Sequence, residues 1–215
     1  HYRSHSFPTR RSSDLTGSGM HFHISLYDNM GKNIFAEKNK EIINKKLNYA
    51  LGGLSKYMGE SMLIFAPNAN SWRRFVLGSY APTRPNWGID TRSVAFRIPT
   101  SNSHNRRIEH RVSGVDANPY LVALTVVSAI KKGLTNKINA DKQTTGNSYL
   151  KKSSSKNIIP TDWNSSINLS KKSLFLKETL GSELHKAFIA IKEMEYNKVA
   201  SAVTELDIEL YLDSI

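Results

Sequence analysis

Arg107, Glu109 and Arg111 stand at alternate positions of one short segment, and residues two apart on a strand project from the same face. That face displays plus, minus, plus. Alone, the triplet also fits a solvated sheet face with cross-strand ion pairs, but its neighbours argue for more. Arg92 and Arg97 flank the preceding apolar segment, Arg74 stands in the loop before it, and His21, His23 and Ser25 share one face of an earlier alternating run. If these strands pair, five guanidinium groups, two imidazoles and one carboxylate gather on one surface. Guanidiniums in such excess over acids cannot satisfy one another, and their forked donors fit phosphate and carboxylate oxygens bidentately. A phosphorylated substrate is implied. His21 and Glu109 are of the types that hold a divalent cation bridging phosphate oxygens. A lone strand histidine is more often a structural hydrogen-bonding group, so His21 draws its meaning from its company. Gly17-Ser18-Gly19 has the small residues of a phosphate or substrate turn but lacks the spacing and lysine of a P-loop.

The elements that must position these groups can be read around them. Met20 to Leu26 alternates polar and apolar residues, as a strand with one polar face does. From Asn44 to Phe65, Leu47, Leu51, Leu54, Tyr57, Met58 and Met62 recur at helical spacing despite Gly52-Gly53. Residues 66–88, with Pro, Gly, Asn and several aromatics, read as a long ordered loop covering a site. Strands are expected at Ser93 to Ile98 and Arg107 to Val112. Asp116-Ala117-Asn118-Pro119 supplies cap residues for a helix running to about Gly133. Residues 135–172, rich in Lys, Asn, Ser and Thr, read as an exposed insertion with little regular structure, and Leu174 to Leu212 as helical. The fold class is α+β, a curved and mainly antiparallel sheet backed by helices.

Composition bounds the function. The chain has no cysteine, so any metal must be held by nitrogen or oxygen ligands, and a cytoplasmic location is expected. No apolar run reaches the length of a membrane span. The first 15 residues, HYRSHSFPTRRSSDL, lack the apolar stretch of a signal peptide and resemble a translated oligonucleotide, so they are read as a non-homologous leader outside the fold. The formal charge of +12 raises the possibility of a basic nucleic-acid-binding module. Much of the lysine lies in polar segments where it solvates a surface, and nucleic acid is not the expected partner.

These residues resemble the glutamine synthetase family. Gly17-Ser18-Gly19-Met20-His21-Phe22-His23-Ile24-Ser25-Leu26 is similar to its metal- and nucleotide-binding strand. Phe65-Ala66-Pro67-Asn68, Asn70 to Phe75, Arg92 to Pro99, Arg106 to Arg111 and Asp116 to Tyr120 follow in the family's order. The resemblance covers residues 16–215, read as the C-terminal part of a catalytic domain, and it implies roles residue by residue. His21 and Glu109 would be ligands of Mg or Mn. Arg97 and Arg107 would contact ATP phosphates, and Arg92 would stabilise the transferred phosphoryl group. Arg74 and Arg111 would bind the glutamate carboxylate, His23 and Ser25 would lie on the nucleotide side, and Gly17 would offer glutamate a backbone contact. The implied reaction is phosphorylation of the γ-carboxylate of glutamate by ATP, followed by attack of an amine, in a homo-oligomeric ring.

Departures from the pattern shape the expectation further. Ammonia-using members carry a flap glutamate before an Ala-Pro pair, where this chain has Tyr80 before Ala81-Pro82. That favours a subfamily resembling γ-glutamylputrescine and other γ-glutamylamide synthetases, whose acceptor is an alkylamine or polyamine. Thr16 adjoins the Gly-Ser-Gly turn where the family places an asparagine-containing loop. The N-terminal domain and most metal-binding carboxylates have no counterpart in this chain, so it is expected to be inactive alone. An ordinary glutamine synthetase is the nearest alternative. A guanidino kinase, with a similar sheet, typically has a reactive cysteine, and this chain has none.

Overall fold

The computed structural model describes residues 19–75, 79, 81–150, 157 and 159–212. Four short strands, β1 (Phe22–Ile24), β2 (Trp87–Ile89), β3 (Phe96–Ile98) and β4 (Ile108–His110), form one sheet in the order β1-β4-β3-β2. The β1–β4 and β4–β3 pairs are antiparallel, whereas β3 and β2 run parallel. The register decides what the sheet can do. His23, Glu109, Arg97 and Gly88 lie opposite one another in one row, and Phe22, His110, Phe96 and Trp87 in the next. Because successive side chains point to opposite faces, one face is polar and charged while the other enters the core.

Two helices back the apolar face. In α1 (Lys45–Phe65), Leu47, Leu51, Leu54, Met58 and Met62 are buried, and they share a core with Phe96, Ile98, Ile108 and Val112. Asn44 caps this helix by accepting from the Leu47 amide at 2.8 Å, and its own amide donates to the carbonyls of Ile34 and Ala36 at 3.0 Å. Such a cap contributes about 1 kcal/mol. The second helix, α3 (Pro119–Thr135), starts where Asn118 accepts from the amides of Tyr120 and Leu121. The two helices approach so closely that a Cβ on Gly53 would lie 2.2 Å from the Ala129 carbonyl, and one on Gly133 2.2 Å from that of Tyr49. Only glycine fits either position.

Three stretches depart from the expectations. The strands are shorter than the alternating runs that contain them. Within the segment read as a loop, α2 (Ala69–Trp72) and β2 form. β2 has three residues, too few to show a period, and it is held by its parallel partner and by the Trp87 indole donating to the Asp141 carbonyl at 2.7 Å. In the region read as irregular, α4 (Trp163–Lys171) packs on α1. Its buried stripe is Trp163, Ser166, Ile167 and Ser170, half serine, and so weak in hydropathy; Ser170 donates to the Glu60 carbonyl at 2.8 Å. The C-terminal region is helical as expected, in three pieces: α5 (Leu174–Leu180), α6 (Ser182–Ala200) and α7 (Glu205–Tyr211). Gly181, at φ 80°, makes the first break.

Candidate active site

Glu109 sits at the centre of the polar face, 3% exposed. Arg97 Nη1 donates to its Oε2 at 2.7 Å, Arg111 Nη1 donates to its Oε1 at 2.6 Å, and His21 Nδ1 lies 3.1 Å from that same oxygen. Burial would raise the Glu109 pKa, but the two guanidinium hydrogen bonds outweigh it and hold the carboxyl below its ordinary value. His21 is lowered, first by burial and then by the Arg111 charge, with Glu109 opposing. One step along the face, Arg107 Nε donates to His23 Nδ1 at 3.1 Å.

Arg74 reaches this group from the loop side. It is 4% exposed, and its guanidinium donates to the carbonyls of Ser113, at 3.1 Å, and Val112. Burial lowers its pKa to about 10, against the favourable charge of Asp116, and it remains a cation at neutral pH. A Cβ on Gly19 would stand 3.1 Å from Arg74 Nη1 and 3.8 Å from His21 Nε2. The small residue of the glycine turn is what lets guanidinium and imidazole flank it.

The arginines are not saturated. The Nε groups of Arg74, Arg97 and Arg111 are all buried with no acceptor among the described residues. Buried donors are nearly always paired, and the Nε of Arg106, which serves the Asn39, Lys40 and Ile42 carbonyls, is orphaned in the same way, so these orphans mark the desolvation common to the buried arginines. Arg92 stands apart: it is exposed, makes no hydrogen bond or ion pair among the described residues, and lines an open cavity of about 410 Å³ with Asp90, Thr91, Ser93, Asn147 and Tyr149. Ser25 is half-buried and donates to the Arg106 carbonyl at 3.3 Å. Gly17, Thr16, Tyr80 and the first 15 residues lie outside the described residues.

Sequence reasoning passed over four residues here. Asp90, at the end of β2 with φ 50°, accepts from Arg97 Nη2, so Arg97 is gripped at both ends. Asp116, read as part of a helix cap, instead accepts from Ser71 and Asn68, while Asn118 does the capping. Arg106 is 1% exposed, and among the described residues its guanidinium donates to the carbonyls of Asn39, Lys40 and Ile42, tying that loop to β4. His110 faces the core between Phe65 and Phe96; burial, followed by the charges of His21 and Arg74, lowers its pKa to about 3. Alternation along β4 could have separated Arg106 from Arg107 and His110 from Glu109.

As a metal site the described residues are incomplete. No three of His, Asp and Glu converge among them. His21 and Glu109 offer two ligands where Mg or Mn takes about six, and both Glu109 oxygens are already engaged by guanidiniums. These residues do not fit a divalent ion by themselves. Among the described residues no helix is long and apolar enough to cross a membrane.

Residues 2–211 match the family described as glutamine synthetase, catalytic domain. The chain is 34% identical over 207 residues to the γ-glutamylputrescine synthetase PuuA of Escherichia coli K12, covering 96% of this chain and 43% of that protein. It is 31% identical to a glutamine synthetase of Methanosarcina mazei, covering 98% and 48%, and 27% identical to a glutamate–isopropylamine ligase of a Pseudomonas species, covering 100% and 47%. Among solved structures, a GmaS/ADP complex superposes with a TM-score of 0.82 at 25% identity, over 93% of this chain and 47% of that one. The chain spans less than half the length of each of these proteins.

Proposed function

The chain belongs to the glutamine synthetase catalytic-domain family, and on that premise we propose that its Glu109-centred face serves ATP-dependent ligation of the glutamate γ-carboxylate to an amine. The observation that carries the reading is the pair of guanidiniums, Arg97 and Arg111, fixed on the buried Glu109 with His21 against it. A carboxylate is a poor electrophile until one oxygen becomes a phosphate leaving group. In the first step a γ-carboxylate oxygen attacks the γ-phosphorus of ATP, forming γ-glutamyl phosphate and releasing ADP. In the second the amine nitrogen attacks the acyl carbon, phosphate leaves, and the nitrogen loses a proton. Fixed guanidiniums stabilise the charge spread over the phosphoryl oxygens without reorganising.

In this reading Arg97 and Arg107 hold nucleotide phosphates, with His23 and Ser25 on the nucleotide side. Arg92 stabilises the phosphoryl group in transfer. Arg74 and Arg111 take the glutamate carboxylate, and Gly17 adds a backbone contact. His21 and Glu109 serve Mg or Mn only with further oxygen donors from outside the described residues. The active form is a homo-oligomeric ring in the cytoplasm.

The acceptor is an alkylamine or polyamine. Tyr80 in place of the flap acid supports this, as do relatives named for putrescine and isopropylamine. The second reading, an ammonia-using enzyme, is favoured by glutamine synthetases of comparable identity. The test uses the protein that carries this chain, with ATP and glutamate. Hydroxylamine should trap a γ-glutamyl hydroxamate, and ADP release should be faster with putrescine, ethanolamine or isopropylamine than with ammonium. A strong preference for ammonium would overturn the acceptor, and the absence of hydroxamate would overturn the acyl phosphate.

A further inference from the structure

Arg74 poses a problem that the site as described does not solve. A guanidinium 4% exposed would ordinarily pair with a carboxylate, because an uncompensated buried charge is costly. Its hydrogen-bond partners are the neutral carbonyls of Val112 and Ser113. The carboxylate that favours its charge, Asp116, is held one step away. Ser71 Oγ donates to Asp116 Oδ2 at 2.6 Å, and Asn68 Nδ2 donates to the same oxygen at 3.3 Å. Asp116 Oδ1 is buried with no hydrogen-bond partner among the described residues.

The bonds to Asp116 come from α2, the turn that immediately precedes Arg74. Ser71 Oγ also accepts from the Asn68 amide at 3.0 Å, and the Arg74 amide donates to the Ser71 carbonyl at 3.4 Å. Asn68 is oriented from the other side by Lys192 of α6, whose Nζ donates to its Oδ1 at 3.4 Å. A direct ion pair would occupy the Arg74 donors. A carboxylate gripping the turn from behind leaves free those that the Val112 and Ser113 carbonyls do not take.

We propose that Asp116 is a positioning residue: through Ser71 and Asn68 it fixes the turn carrying Arg74, so that the guanidinium meets an incoming carboxylate with the N–H groups that the Val112 and Ser113 carbonyls do not take. This rests on the reading of Arg74 as a carboxylate-binding group. It is tested on the 215-residue chain with Asp116→Ala, with Asp116→Asn, which keeps an acceptor oxygen for Ser71, and with the exposed control Glu209→Gln. Two readouts are taken, amide hydrogen exchange at Arg74 and Phe75, and affinity for L-glutamate followed by the Arg74 side-chain Nε–H resonance.

Asp116→Ala should speed exchange at Arg74 and Phe75 on the order of 10-fold, as losing a buried hydrogen bond does, and weaken glutamate binding by a similar factor. The amides of Glu109 and Arg111 should be unchanged, and Asp116→Asn should restore most of both losses. Unchanged exchange in Asp116→Ala, equal acceleration at the β4 amides, or an asparagine variant as impaired as the alanine one would overturn the proposal. If the exchange pattern holds but the unsubstituted chain shows no glutamate response, the positioning role stands and the carboxylate reading of Arg74 fails.

Discussion

Replacing Glu109 by glutamine should destabilise the chain severely, and the geometry says by how much. The Glu109 side chain is 4% exposed and its partners Arg97 and Arg111 are 20% and 8% exposed, so solvent screens these pairs little. Removing one partner of a buried ion pair costs about 3–5 kcal/mol, because the remaining charge stays desolvated and unpaired. Glutamine keeps an acceptor oxygen, which places the expectation near the lower end, about 3 kcal/mol, or roughly 6–12 °C in Tm for a chain of this size. Asp90→Asn supplies the internal contrast. It breaks an ion pair to the same Arg97, but the Asp90 side chain is 52% exposed, and loss of such a pair should cost under about 1 kcal/mol. Thermal and urea unfolding of both variants measure the two costs. Since Glu109 has its folded pKa depressed, its contribution is complete above the ordinary glutamate value and is lost as pH falls through the lower, folded one. The unsubstituted chain should therefore lose more stability on acidification across that window than Glu109→Gln does. Added pyrophosphate should rescue Glu109→Gln more than the unsubstituted chain, because Arg111 and the Nη1 end of Arg97 are released to meet it while Asp90 keeps the other end. Equal costs for the two substitutions, or a cost for Glu109→Gln within about 1 kcal/mol, would refute the claim that burial gives this carboxylate its weight.

Other expectations follow from the same contacts. Arg106→Ala should destabilise by about 3 kcal/mol, since a buried guanidinium serving three carbonyls is lost, while Arg92→Ala, exposed and unbonded among the described residues, should stay within about 0.5 kcal/mol in urea unfolding. His110→Leu removes two unpartnered ring nitrogens. Because the native histidine resists protonation until about pH 3 while the unfolded one takes a proton near its ordinary 6.5, the unsubstituted chain should lose stability steadily as pH falls between those values, and the leucine variant should lack that slope. Gly53→Ala should cost at least about 2 kcal/mol in thermal unfolding, as its Cβ meets the Ala129 carbonyl at 2.2 Å.

Much of the site was legible because strands alternate. The spacing of Arg107, Glu109 and Arg111, and of His21, His23 and Ser25, follows from period two, and the polar row His23–Glu109–Arg97 is that pattern once the strands pair. The two helices behind the sheet were legible, α1 from its leucine and methionine stripe and α3 from the cap residues at 116–119. Other features left no local trace. Asp116 meets Ser71 across 45 positions of sequence, and nothing near either residue announces it. β2 is too short for a period, and α4 buries serines where a hydropathy reading looks for leucines. Arg92 shows the opposite limit: it follows the family pattern in sequence, yet it lines a separate cavity beside Asp90 rather than joining the group on Glu109.

In the proposed function, Arg97 and Arg107 of this face grip the phosphates of a nucleotide. Calorimetric titration of the 215-residue chain with ADP and ATP tests it most directly, run beside Arg97→Ala, Arg107→Ala and the surface control Lys46→Ala. Saturable binding that falls on the order of 10-fold or more in each arginine variant, as loss of charge-assisted hydrogen bonds predicts, and is unmoved by the lysine change would bear the account out. Nucleotide binding indifferent to both arginines, or salt-sensitive DNA binding that survives their removal, would contradict it.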